Sequence, residues 1–326
     1  MRRREFIAGL GSVAAVWPMA TRAQQGGVPV VGLLSSGRTE PNESLLPALR
    51  AGLREMGYTE GRNMTFEYRG AENYNQLLAM ARDLVRHPVS VIFATGTVNA
   101  ALAAKSATAT IPIVFSNGGD PVKLGIVASL NRPGGNMTGV TNFAGALGAK
   151  RLELLRELVP HVARIGFLVN PTNLLTEGNT ADMLLAAQSV GQEMVVLNAS
   201  TPEEIDRVFA AATERRVGAL LVNVDSMFNA RHSQIVALAM RYRVPVSYPT
   251  RLFATAGGLM SYGDDRLETY RQAGHYVGRI LKGEKPSDLP VLQPTKFELV
   301  LNPKVAKALG IVFPPSFYLR ADEVIE

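Results

Sequence analysis

Hydroxyl, amide and carboxylate residues recur in this sequence at one kind of place, directly after a short apolar run. Residues 89–97 (VSVIFATGT) close on Thr95, Gly96 and Thr97, and residues 30–37 (VVGLLSSG) on Ser35, Ser36 and Gly37. Residues 113–120 (IVFSNGGD) close on Ser116, Asn117 and Asp120. The pattern returns at 165–173 (IGFLVNPTN) with Asn170 and Asn173, at 219–226 (ALLVNVDS) with Asp225, and at 244–248 (VPVSY) with Tyr248. No segment joins a nucleophile to a base. The chemistry on offer is recognition of a small polar molecule that leaves unchanged.

Each group has a plainer role beside the functional one. Thr95, Gly96 and Thr97 precede a helical pattern, where free N–H groups and the positive dipole end suit a carboxylate or another anion. Threonine there also serves as an ordinary N-cap. Ser35 and Ser36 carry the same two readings. Asp120 suits a ligand ammonium, or simply a turn built from Gly and Asp. Asn170, Asn173 and Asp225 are placed to close from the other side, with turn and cap roles as alternatives, and Asn142 is a further ligand-binding candidate. Tyr248, Tyr262, Phe228 and Phe143 stand near strand ends or chain crossings and could sandwich a ring, although core packing is the commoner fate of an aromatic.

Enzyme signatures are missing. There is no Gly-x-Ser-x-Gly elbow and no phosphate loop, and the one Gly-x-Gly (Gly9, Gly11) falls in the leader. His87, His161, His232 and His275 are scattered singly, without zinc-site spacing. No cofactor and no metal are expected.

The elements that must position these residues alternate. Apolar runs read as strands buried on both faces, and between them lie amphipathic helices, such as the one carrying Leu46, Leu49, Leu53 and Met56. Such alternation indicates parallel sheets with right-handed crossovers, and open sheets of this kind bind ligands at the carboxyl ends of their strands. A short helix is expected at 124–130 and an edge strand at 137–141. The fold class is therefore α/β, with two doubly wound parallel-sheet lobes and a hinge. Residues 28–140 plus 250–282 form the expected first lobe, and 141–249 plus 290–326 the second. The chain would cross between them near 140–143, 248–251 and 283–290, and hinge closure would enclose a ligand.

Residues 1–23 read as a signal peptide. Arg2, Arg3 and Arg4 precede an apolar run, and Thr21 and Ala23 give small residues before a cut. The run is too short to span a bilayer, and Arg3-Arg4-Glu5-Phe6-Ile7 resembles a twin-arginine export signature. The leader carries four of the 34 basic and one of the 28 acidic residues, so its removal lowers the net charge from +6 to +3. A nucleic-acid partner is not expected. The absence of cysteine excludes disulfides, thiolate metal sites and a lipidated amino-terminal cysteine. A soluble, exported monomer is expected, with a periplasmic destination.

Several stretches carry a family resemblance. Residues 120–136 (DPVKLGIVASLNRPGGN), 258–263 (GLMSYG), 280–286 (ILKGEKP) and 293–299 (QPTKFEL) closely resemble the ABC transporter substrate-binding family labelled tryptophan/tyrosine-type. The similarity runs from about residue 28 to the end of the chain. It implies a type I periplasmic binding protein fold, a partner permease and ATPase, and a small ligand, in some members an aromatic amino acid. Thr95, Asp120 and Tyr262 lie within resembling segments and carry over as cleft residues. The stretch 143–146 departs from the family pattern in lacking polar groups. Against the importer reading stand a sensory binding protein, which presents its closed state to a receptor, and more remotely a periplasmic enzyme.

Overall fold

The structure is a computed structural model, and it describes residues 27–36, 45–71, 73–142, 146–294 and 296–326. The expected signal peptide, Gly37 and Phe143 lie outside these residues. Five strands form the first sheet: β1 (Val30–Ser35), β2 (Thr65–Gly70), β3 (Val91–Thr95), β4 (Ile113–Asn117) and β5 (Met137–Thr141). They pair in the order β2-β1-β3-β4-β5, parallel throughout. The second sheet holds β6 (Arg164–Val169), β7 (Glu193–Asn198), β8 (Ala219–Val222), β9 (Val246–Tyr248), β10 (Met260–Asp264), β11 (Phe297–Leu301) and β12 (Glu323–Val324). Its order is β12-β11-β10-β9-β8-β6-β7, and only the β10–β11 pairing is antiparallel.

Alternation along each strand explains why both faces must be covered. In the first sheet Val31, Leu33, Val91, Phe93 and Val114 turn to one core, shared with helices Leu46–Glu55 and Arg266–Leu281. Leu34, Ile92, Ala94, Ile113 and Phe115 turn to the other, under helices Leu77–Arg86 and Val98–Ala107. The second sheet repeats the arrangement. Leu220, Val222, Val246 and Tyr248 face one core, while Phe167, Ala219, Leu221 and Met260 face the other. Helix Ala146–Leu158 covers this last face.

The lobe boundary differs from the expectation. Residues 250–264 belong with the second sheet, because β10 pairs with β9 at Met260–Ser247 and Ser261–Tyr248. Glycine makes that approach feasible: a Cβ on Gly263 would lie 2.0 Å from the Pro249 carbonyl oxygen. The chain therefore crosses near 142, near 265 and after Leu292, not at 248–251. Leu292 still bridges to Val140 of β5, so residues 290–292 stay with the first lobe. The expected helix at 124–130 is a series of turns. Gly125 is left-handed at φ +63°, and Ile126 N–H bonds back to the Pro121 carbonyl. Helix Pro315–Arg320 and strand β12 were not anticipated.

Candidate ligand-binding site

Parallel order sends the polar ends of β1, β3 and β4 to one rim of the first sheet, and those of β6 and β8 to one rim of the second. Two of the contacts that join the rims lie at Asp225 and its neighbour Ser226. The Tyr74 hydroxyl, in a short turn ahead of helix Leu77–Arg86, donates to Asp225 Oδ2 at 2.7 Å. The hydroxyls of Ser36 and Ser226 lie 3.0 Å apart. Between them Gly96 has φ +99°, and a Cβ there would fall 2.3 Å from Ser36 Oγ and 2.8 Å from Ser226 Oγ. Ser36 N–H bonds to the Thr95 carbonyl and Ser226 follows Asp225, so Thr95 and Asp225 lie on facing rims. A separate depression of about 460 Å³, lined in part by Pro29, Ser90, Pro112 and Pro286, lies at the opposite, amino end of the first sheet.

Asp225 is the hub of the second rim. It is 1% exposed. Asn170 Nδ2 donates to its Oδ1 at 3.1 Å and Asn173 Nδ2 to its Oδ2 at 2.9 Å. The Met227 N–H adds a bond of 2.8 Å, so the aspartate also caps helix Ser226–Ala230. Burial pushes this carboxyl above the ordinary aspartate range, and the donors, led by Tyr74, pull it partly back. The Tyr74 phenol is pushed up, first by burial and then by the neighbouring carboxylate. Asn170 and Asn173 spend their carbonyl oxygens on Thr172 and on Leu175 N–H.

On the first rim the bonding is incomplete. Thr97 holds the N-cap position of helix Val98–Ala107, yet its hydroxyl caps nothing. Thr97 Oγ1, Asn117 Nδ2 and Asn142 Oδ1 are buried and have no hydrogen-bond partner. They follow or end β3, β4 and β5, three adjacent strands spaced about 4.8 Å apart. Buried polar atoms are normally bonded; these three orphans lie together on neighbouring strand ends. Asn142 spends its amide nitrogen on Asp264 Oδ1 at 2.7 Å, tying the first crossing to the end of β10.

The remaining candidates separate. Thr95 Oγ1 lies 2.6 Å from the Tyr270 hydroxyl, which fixes it to helix Arg266–Leu281. Ser35 and Ser116 are buried at their strand ends. Asp120 accepts from Val122 N–H at 2.9 Å and Lys123 N–H at 3.1 Å, as a turn residue does. Tyr248 leaves the candidate set: it is 1% exposed and stacks on Phe253 at 4.8 Å inside the second-lobe core. Phe228 is buried in that same core. Tyr262 stays half-buried near the end of β10, 6.3 Å from the Phe297 ring. Sequence reading missed Tyr74, Ser226 and Asp264. Asp264 left a signal as an acid closing the run GLMSYGD, and Ser226 as the last residue of ALLVNVDS. Among the described residues no cluster of His, Cys, Asp or Glu could hold a metal ion. None of the described helices is long and apolar enough to cross a membrane.

Two α/β lobes whose polar strand ends face each other define the type I periplasmic binding protein class. Residues 44–325 match the family described as ABC transporter substrate binding protein, and the chain belongs to it. It is similar to a tyrosine-binding protein from Clostridioides difficile, with 26% identity covering 79% of this chain and 74% of the relative. It also resembles the crystal structure of a conserved domain protein from Vibrio cholerae (27% identity, TM-score 0.84), covering 92% of this chain and all of that one. A third likeness is to a structure from Streptococcus pneumonia of an ABC domain in complex with L-Trp. It has 24% identity and TM-score 0.82, over 92% of this chain and 100% of that one.

Proposed function

We propose that the protein is the exported, periplasmic binding component of an ABC importer, which captures a small polar or aromatic metabolite between its lobes and hands it to a permease and ATPase. The observation that carries this reading is the row of unpartnered buried atoms on Thr97, Asn117 and Asn142. A tyrosine-binding relative and a likeness to an L-Trp complex favour an amino acid as ligand. Ligand contacts from both rims favour the shut form, since a ligand drives closure only by binding the closed state better than the open one.

Calorimetry on the chain from Gln24, with L-tyrosine, L-tryptophan, nucleosides and sugars, tests the proposal. That chain lacks Trp17, the only tryptophan, so protein indole fluorescence gives no signal. Saturable binding of one class, with loss of its uptake on gene deletion, supports an importer. Binding with uptake intact supports a sensor, and turnover of the compound an enzyme. No binding by any class refutes the proposal.

A further inference from the structure

Helix Ala146–Leu158 buries a stripe that includes Gly148, Arg151, Leu155 and Leu158, spaced three and four residues apart. The arginine breaks the apolar pattern. Arg151 is only 2% exposed. Its Nη1 donates to the Val222 carbonyl at 3.3 Å, and its Nε has no hydrogen-bond partner. No carboxylate among the described residues pairs with it. Burial pushes the guanidinium down to about 10, which leaves it cationic at neutral pH.

Its position is as informative as its solitude. Val222 ends β8, a central strand of the second sheet, three residues before Asp225. The charged head therefore sits at the rim that faces the first lobe. Gly148 lies one turn away: a Cβ there would stand 4.0 Å from Nη2, at ordinary contact distance, and 3.0 Å from the Met183 methyl. Ser247 is fully buried with an unpartnered hydroxyl. It alternates with Val246 and Tyr248 of the opposite core, so it turns to the same face as Arg151. Tyr262 packs against the core on that face too.

We infer that Arg151 is the counter-ion for a carboxylate carried by the ligand, so that the crevice takes amino acids or other small organic acids in preference to neutral sugars and nucleosides. A buried cation without a partner is costly, and the planar guanidinium fork matches a carboxylate with two parallel bonds. This inference rests on the interlobe binding reading above.

The test compares wild type with Arg151→Met and Arg151→Lys, on the chain from Gln24. Thermal melts are run without additive and with L-tyrosine, L-tryptophan, phenylacetate, tyramine, tryptamine, a nucleoside and a sugar. At least one carboxylate should raise the wild-type melting temperature, while its decarboxylated amine should not. Arg151→Met should bind that acid about 100-fold more weakly, and Arg151→Lys should fall between. Without additive, Arg151→Met should melt no lower than wild type, because an apolar chain of similar length replaces an unpaired charge. Equal response to acid and amine, undiminished binding by Arg151→Met, or a well-lowered melting temperature of additive-free Arg151→Met would each overturn the inference. A response to the nucleoside or sugar alone overturns it and leaves interlobe binding standing. No response to any compound removes both.

Discussion

Tyr74 and Asp225 stand 151 positions apart in the chain, yet the phenol of one donates to the carboxylate of the other at 2.7 Å. One belongs to the first lobe and the other to the second, so the bond exists only while the rims are together. A hydrogen bond to a charged acceptor contributes about 1.5–3 kcal/mol. Tyr74→Phe should therefore weaken ligand binding by about tenfold or more and enlarge the radius of gyration measured by small-angle scattering. Unchanged affinity and radius would mean that the bond plays no part in closure.

The same carboxylate sets a pH dependence. Burial raises the folded-state value of Asp225 above that of the unfolded chain. A raised group contributes stability that is fully present below the unfolded value and is lost as pH rises through the folded one. Relative to Asp225→Asn, wild type should thus lose melting temperature as pH rises above the ordinary aspartate range, about 4, and through the raised folded-state value. A difference that grows with pH would show that the four donors outweigh desolvation.

Thr97 separates ligand contact from helix capping. If the hydroxyl capped helix Val98–Ala107, Thr97→Val would cost about 1 kcal/mol. Because Oγ1 has no partner, the substitution should instead leave urea unfolding within about 0.5 kcal/mol of wild type. Ligand affinity should fall about tenfold, the loss of one hydrogen bond. Destabilisation with normal affinity would assign the residue to the helix alone.

Two glycines let helices Leu46–Glu55 and Arg266–Leu281 touch backbone to backbone. A Cβ on Gly52 would lie 2.0 Å from the Arg271 carbonyl oxygen, and one on Gly274 would lie 2.3 Å from that of Leu49. Backbone cannot swing aside as a side chain does. Gly274→Ala should lower stability by about 1–3 kcal/mol, read as a lower urea midpoint with an unchanged slope. An alanine variant as stable as wild type would mean that the helices part without cost.

Strand ends were legible because continuous apolar runs stopping at Ser, Thr, Asn or Asp signal a parallel strand and its rim. The roles on those rims were harder to read. Thr97 and Asp120 carry the same sequence logic, yet Asp120 spends its carboxylate on its own turn while Thr97 keeps a free hydroxyl. Tyr248 ends a strand like the polar candidates, but strand parity turns it to the core. The second crossing was misplaced because pairing of β9 with β10 depends on the Gly263 backbone meeting Pro249, a non-local contact. Tyr74 was invisible for the same reason, since its partner lies in the other lobe. Arg151 did leave a trace, a charge at a position where helical spacing asks for leucine.

Helix Arg266–Leu281 completes a first-lobe core that also contains Val31, Phe93 and Val114. Some 140 residues separate the end of β5 from the end of that helix. At ribosomal speed the delay is roughly seven to thirty seconds, during which that face of the earlier sheet has only helix Leu46–Glu55 over it. The amino-terminal half cannot mature first, and its greasy underside must be shielded by whatever attends the nascent chain until the later half has been made.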